Sequence, residues 1–335
     1  MTGAERFALG TFSAAGGPEF PGMVLGDEVF ALRAIDQRLR AHGRALRGSD
    51  STLALLENWD HDLVLLREAA AGLAGAPGGA RVQDLHVHAP VRPRQIFCAG
   101  ANYHKHVVDL IVDGALARDA GADVETVRAG ADQMMRKRAE TGMPFVFVAV
   151  QSALAGPCDE LLIPFDVEQP DWELELAAVI GRPARRVSRD QALDHVAGYT
   201  IANDITAREL VNRPDVPQMG MDWLAAKCSP SFLPFGPYIV PAPFVADPQA
   251  LQITLKLNGQ VMQDESTSDM IFGVARIIEF ISRHVQLLPG DLVLTGSPSG
   301  NGTHYNRFIR DGDVLEGAIT GLGALRNRCI TEART

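Results

Sequence analysis

The alternation of apolar and polar positions is most informative around residues 171–181. There Asp171-Trp172-Glu173-Leu174-Glu175 leads into an almost unbroken apolar run that ends at Gly181. As a strand, with its period of two, this stretch puts Glu173 and Glu175 on one face and Leu174 and Leu176 on the other. A second β-branched and aromatic run begins at Gly198-Tyr199-Thr200-Ile201 and closes on Asn203-Asp204, with Arg208 just beyond. Residues 94–100 read as a strand ending at a glycine. Residues 107–139 read as amphipathic helix, with Leu110, Ile111, Leu116, Val124, Val127, Met134 and Met135 as its apolar positions. Residues 271–285 form a further helix that buries Val274, Ile277, Ile278 and Ile281. Residues 292–295 and 313–317 are closing strands.

Toward the N-terminus, residues 6–12 and 22–32 are strand-like and residues 53–73 are helical. The Gly75-Ala76-Pro77-Gly78-Gly79 cluster is a loop signal, and residues 85–93 look like a linker. The pattern predicts a small N-terminal domain over residues 1–88 and a larger domain over 92–333, with no internal repeat.

Composition narrows the function classes. At 335 residues the chain can bury a large core. Its net charge of −10 and lack of a basic run argue against a nucleic-acid surface. No stretch is long and apolar enough to span a bilayer. The segment Met1-Thr2-Gly3-Ala4-Glu5-Arg6-Phe7 lacks the basic-then-apolar layout of a signal peptide. Cys98, Cys158, Cys228 and Cys329 form no C-x-x-C pair, so neither a zinc site nor a disulfide framework is expected. A cytoplasmic location with reduced thiols follows.

The candidate chemistry starts from charge. Two carboxylates at the start of a buried strand repel each other and resist desolvation unless something positive sits between them. Mg²⁺, Mn²⁺ and Ca²⁺ prefer oxygen ligands and would answer that need; acids pointing into solvent would answer it equally. Asp204 offers a third carboxylate, although Asn203-Asp204 also suits a turn or helix cap. Arg208 is spaced to reach the same site. In Asn102-Tyr103-His104-Lys105-His106-Val107-Val108-Asp109, a helix starting near His104 puts His106 and Asp109 on one face. A carboxylate beside an imidazole would orient it and raise its basicity, making a base for water. His86 and His88 alternate on a short strand and read as linker-surface residues. Gly296-Ser297-Pro298-Ser299-Gly300 has proline at its centre, so it is not a serine nucleophile elbow. Its backbone amides could still hold a carboxylate.

These residues occur in an order that resembles the fumarylacetoacetate hydrolase (FAH) superfamily: Asn102-Tyr103-x-x-His106, Glu173-x-Glu175, Asn203-Asp204-x-x-Ala207-Arg208, Trp223-x-x-Ala226-Lys227 and Leu294-Thr295-Gly296-x-Pro298-x-Gly300. Leu257-Asn258-Gly259, Gln263-Asp264, Ser268-Asp269-Met270-Ile271-Phe272 and Pro289-Gly290-Asp291 fit as well. The resemblance covers about residues 92–333. It implies an α+β, mostly β fold, a mixed β-roll preceded by a small N-terminal α/β domain. It also implies Mg²⁺ or Mn²⁺, with Ca²⁺ also admitted, on Glu173, Glu175 and Asp204. His106 and Asp109 would be the base and its orienter, with Lys227 and Arg208 as cationic catalytic groups. Tyr103, Thr295 and Gly296 would bind substrate. A homodimer acting on a small oxo acid is the usual arrangement in such families.

Three departures from the family pattern matter. Asp109 stands where Glu is frequent. Ala149-Val150-Gln151-Ser152 replaces Lys-Pro-x-Ser, and Arg208-Glu209-Leu210-Val211 loses a Gln. The last two make the pocket less polar. The expected reaction is metal-dependent hydrolysis of a C–C bond in a 1,3-dicarbonyl or 2-oxo acid of the acylpyruvate type. Decarboxylation, hydration or isomerisation of a 2-oxo acid is the alternative within enzymes. A non-catalytic ligand-binding relative is the alternative outside them.

Overall fold

The computed structural model describes residues 6–73 and 78–334. Residues 1–5, most of the segment read above for a signal peptide, and most of the 75–79 loop signal lie outside the described residues. The architecture is α+β and rich in sheet. A twelve-stranded mixed sheet runs through the molecule, and from its middle to one edge it follows the succession Leu233–Pro241, Val196–Asn203, Leu174–Ile180, Leu292–Leu294, Ile96–Gly100 and Phe145–Ala149. Leu174–Ile180 and Val196–Asn203 are antiparallel, with Leu174 opposite Asn203 and Glu175 opposite Ala202. Leu292–Leu294 runs parallel to Ile96–Gly100. Both antiparallel strands are buried along their whole length, which their continuous apolar runs require.

A five-stranded sheet, from Gln260–Ser266 to Leu161–Ile163, packs over this middle. The contact is close: a Cβ on Gly317 would lie 2.5 Å from Leu174 Cδ1, so only glycine admits the leucine there. The helix Val274–His284 buries Val274, Ile277, Ile278 and Ile281, as its apolar stripe predicts.

At the N-terminal end the structure is finer than the sequence reading. Residues 22–32 split into strands Phe20–Leu25 and Glu28–Ala31, which turn at Gly26 (φ +62°) and run into a helix, Leu32–Arg40. The helical stretch 53–73 is two helices, Thr52–Glu57 and Trp59–Leu73. Ala8–Ser13 pairs with Leu233–Pro241, so the N-terminal strands continue the main sheet. The amphipathic stretch 107–139 is likewise two helices, His104–Arg118 and Val124–Thr141. They pack on each other through Val107, Val108, Ala131 and Met135, a small apolar cluster separate from the main core. Among the described residues no helix is long and apolar enough to cross a membrane.

Candidate active site

Three carboxylates converge where the two central strands begin and end. Glu173, Glu175 and Asp204 are buried, and each offers an oxygen within 4.8 Å of the others. Backbone pairing fixes this convergence. The Asp204 N–H donates to Glu173 O at 2.9 Å, and the Glu173 N–H donates to Asn203 Oδ1 at 2.9 Å. Glu175 Oε2 accepts the Gly296 N–H at 2.6 Å. Gly296 sits at φ +91°, and a Cβ there would lie 3.0 Å from Asn102 Cβ, so the turn needs glycine to aim its amide at Glu175.

Two cations share the acids unevenly. Lys227 Nζ donates to Glu173 Oε2 at 2.8 Å and to Asp204 Oδ2 at 2.6 Å. Arg208 donates through Nη2 to Glu173 Oε1 at 2.6 Å and through Nε to Asp171 Oδ2 at 2.7 Å. Asp171, opening acid of the 171–181 run, is thus the anchor of Arg208, a role the sequence did not show. Burial alone would raise the Glu173 carboxyl, but Lys227 and Arg208 outweigh it and hold it at about 2. Glu175 has no such partner. Burial, and then the neighbouring Asp204, push it well above the carboxylate range. Burial also raises Asp204, against the pull of Lys227. For Lys227, burial favours the neutral amine, yet Asp204 and Glu173 keep its proton more firmly than in water.

This donor set fits a hard divalent cation. It is all oxygen, it carries more negative than positive charge, and its least compensated member is a carboxylate held in place by a backbone amide.

His106 is buried on the first turn of His104–Arg118. Burial lowers its pKa, the chief opposing influence is Glu173, and Arg208 adds to the lowering. The imidazole is therefore neutral near pH 7 and lies within the field of the triad. Asp109 is not hydrogen-bonded to it. Its Oδ1 accepts from Arg128 Nη1 at 3.0 Å and its Oδ2 from Ser299 Oγ at 2.8 Å. The expected dyad geometry is absent here: the shorter side chain of Asp109 is held by the Val124–Thr141 helix and the glycine-rich turn. Arg128 and Ser299 were missed by the sequence reading. They stand 19 and 190 residues from Asp109; Arg128 belongs to no motif, and Ser299 falls at an unspecified position of the glycine-rich turn motif.

Of the expected substrate-binding groups, Tyr103 is fully buried and its hydroxyl has no hydrogen-bond partner among the described residues. Thr295 Oγ1 donates to Leu176 O at 2.8 Å. Lys227 is fully engaged by acids. His88 Nε2 lies 2.8 Å from Ser13 Oγ. It lines a cleft of about 420 Å³ with Glu19, Arg92, Gln151 and Asp159, which none of the triad touches.

Residues 95–330 match the family described as Fumarylacetoacetate (FAA) hydrolase C-terminal. The chain is 34% identical over 245 residues to the mitochondrial oxaloacetate tautomerase FAHD2A of Bos taurus, covering 72% of this chain and 68% of that protein. It is 40% identical over 188 residues to the 2,4-didehydro-3-deoxy-L-rhamnonate hydrolase of Sphingomonas sp. (strain SKA58), covering 55% of this chain and 64% of that protein. The structure of a 2-hydroxyhepta-2,4-diene-1,7-dioate isomerase from Mycobacterium marinum superposes with a TM-score of 0.64 at 27% identity. It covers 98% of this chain and 100% of that one.

Proposed function

Because the chain belongs to the fumarylacetoacetate hydrolase family, we propose that it is a metal-dependent enzyme of 2-oxo acids that moves a proton at the carbon next to the oxo group, a tautomerase or isomerase. The observation that carries this reading is the state of the base. His106 is buried and neutral and makes no hydrogen bond to Asp109, whose oxygens are held by Arg128 and Ser299. Activating water for attack asks for an imidazole that a carboxylate orients and makes more basic. Shuttling one proton between substrate positions asks only for a neutral, well-placed base.

Bound on Glu173, Glu175 and Asp204, a divalent cation, Mg²⁺ or Mn²⁺ before Ca²⁺, supplies Lewis-acid polarisation of neighbouring substrate oxygens. His106 takes the proton from the carbon beside the oxo group and delivers it to the former oxo oxygen, giving the enol, or to the far carbon of a conjugated chain, and the same steps run in reverse. Lys227 and Arg208 hold Glu173 and Asp204 in place and keep positive charge beside the anion that forms. The Gly296 amide keeps Glu175 turned inward. All these residues lie in 92–333, which we take as the catalytic unit, with 1–88 as a smaller one joined to its sheet. A homodimer and a cytoplasmic location complete the reading, although the bovine relative is named as mitochondrial.

C–C bond hydrolysis of an acylpyruvate-like substrate is the second reading. It is favoured by the likeness to the Sphingomonas hydrolase. A non-catalytic relative is disfavoured, because a buried carboxylate as poorly compensated as Glu175 adds nothing to stability.

The deciding experiment incubates the Mg²⁺-loaded protein with oxaloacetate, acylpyruvates and 2-oxo-enoates. Enol–keto interconversion is followed by absorbance and products are identified by mass. Accelerated interconversion without change of mass supports the proposal. Cleavage into two acids installs the hydrolase reading, and release of CO₂ refutes both.

A further inference from the structure

The strand Phe145–Ala149 turns an aromatic face toward the triad. Strand alternation puts Phe145, Phe147 and Ala149 on one side. Phe147 stacks on Trp223 with ring centroids 4.7 Å apart and planes inclined by 13°. Phe145 lies 6.0 Å from the same indole. Lys227 Nζ, bonded to Glu173 and Asp204, is 5.4 Å from the Phe147 centroid and 5.8 Å from that of Trp223. The aromatic group therefore starts beside the acids.

These rings are only partly covered, with Phe147 at the margin of the main core. Trp59 and Trp172 are buried, but Phe147 and Trp223 are only half-buried, Phe145 is 44% exposed and Leu224 70%. The cations at the triad are already committed, Lys227 between Glu173 and Asp204, Arg208 between Asp171 and Glu173. The next position on the aromatic face is a methyl group, Ala149.

We propose that Phe145, Phe147 and Trp223 receive the distal part of the substrate, which is a planar apolar tail, aromatic or conjugated, and not a second carboxylate. The inference rests on the proposed function, which supplies the 2-oxo acid end on the triad. Half-exposed ring faces gain by stacking on a flat apolar group. A carboxylate there would lose its hydration against the negative faces of the rings.

Calorimetric titration of the Mg²⁺-loaded protein with pyruvate, phenylpyruvate and 2-oxoglutarate tests it. Phenylpyruvate should bind about tenfold more tightly than pyruvate, and 2-oxoglutarate no more tightly than pyruvate. Trp223→Ala and Phe147→Leu should each remove most of the preference for phenylpyruvate. Trp223→Phe, which keeps a ring, should retain it and controls for misfolding. Tighter binding of 2-oxoglutarate than of phenylpyruvate overturns the inference, as does an undiminished preference in both ring-deleting variants. Equal affinity for all three acids overturns the tail alone. No Mg²⁺-dependent binding of pyruvate overturns the proposed function and the tail with it.

Discussion

Glu175→Gln is the sharpest perturbation the site offers, because it separates what the carboxylate does for the fold from what it does for a cation. The side chain is 1% exposed, accepts the Gly296 N–H at 2.6 Å, and forms no ion pair with Lys227 or Arg208, both of which are bound to other acids. Its neighbour Asp204 repels its charged form. Glutamine has the same length. Its amide oxygen can keep the Gly296 bond, and its NH₂ can face Asp204 as the protonated carboxyl does. Glu175 is ionised in the unfolded chain at neutral pH and protonated in the metal-free fold; glutamine removes that cost and should stabilise the metal-free protein at neutral pH by about 0.5–2 kcal/mol. In a chain of this length that raises Tm by roughly 1–3 °C.

Metal should reverse the ranking. Mg²⁺ at about a hundred times its Kd adds roughly 2.7 kcal/mol to the wild-type protein, whereas the variant, short of one anionic ligand, should gain little. Paired thermal scans in chelator and in excess Mg²⁺ should therefore cross: the variant melts higher without metal and lower with it. A variant destabilised by more than about 1 kcal/mol without metal would show that the carboxylate is a structural element. A variant that keeps the full Mg²⁺ shift would show that Glu175 is not a ligand.

Further outcomes follow from the same geometry. Lys227→Met strips the buried ammonium from two acids and should cost about 3–5 kcal/mol in metal-free urea unfolding; a cost below about 1 kcal/mol would mean that Glu173 and Asp204 do not need it. His106→Ala should lower turnover by about 10²–10⁴-fold while leaving the Mg²⁺ shift in Tm intact, and an unchanged rate would remove His106 from the chemistry. The free base must be neutral to act, and burial lowers its pKa from 6.5, so the acid limb of kcat/KM should fall below pH 6.5; a limb above that value contradicts the assignment. Asp109→Asn should cost less than about tenfold, far short of His106→Ala, and equal losses in the two variants would restore the dyad.

What the sequence made legible, and what it hid, divides along physical lines. Glu173, Glu175, Asp204 and Arg208 were readable because acids inside long apolar runs contradict burial, and the contradiction demands a cation. The buried helix Val274–His284 was readable from its apolar stripe. The partners of Asp109 were not, because helical spacing says which residues share a face and nothing about what comes from elsewhere to meet them. The strand Gly323–Thr331 went unread because its inward positions are Leu325, Asn327 and Cys329, and a polar residue in the middle breaks the apolar alternation. Asn327 is tolerated there because its Nδ2 donates to the carbonyls of Gly156 and Asp159 at 3.2 and 2.8 Å. The hairpin at Gly26 did leave a signal, a Gly-Asp turn between apolar runs, but the strand reading ran through it.

The acids meet because of strand register. Glu173 and Asp204 face each other across the ends of two antiparallel strands, tied by the Asp204 N–H to Glu173 O bond. Glu175 lies two residues further in, opposite Ala202, so its side chain returns to the face of Glu173. The small side chain of Ala202 leaves that face open. A slip of one residue would turn both glutamates toward the five-stranded sheet and bring Leu174 and Leu176 to the site. The apolar packing of Leu174 against Gly317 forbids that slip. The same hydrophobic contacts that build the core therefore also hold the three carboxyl groups together, and Glu175, pushed to its protonated form by burial and by Asp204, is the ligand whose ionisation a bound divalent cation would favour.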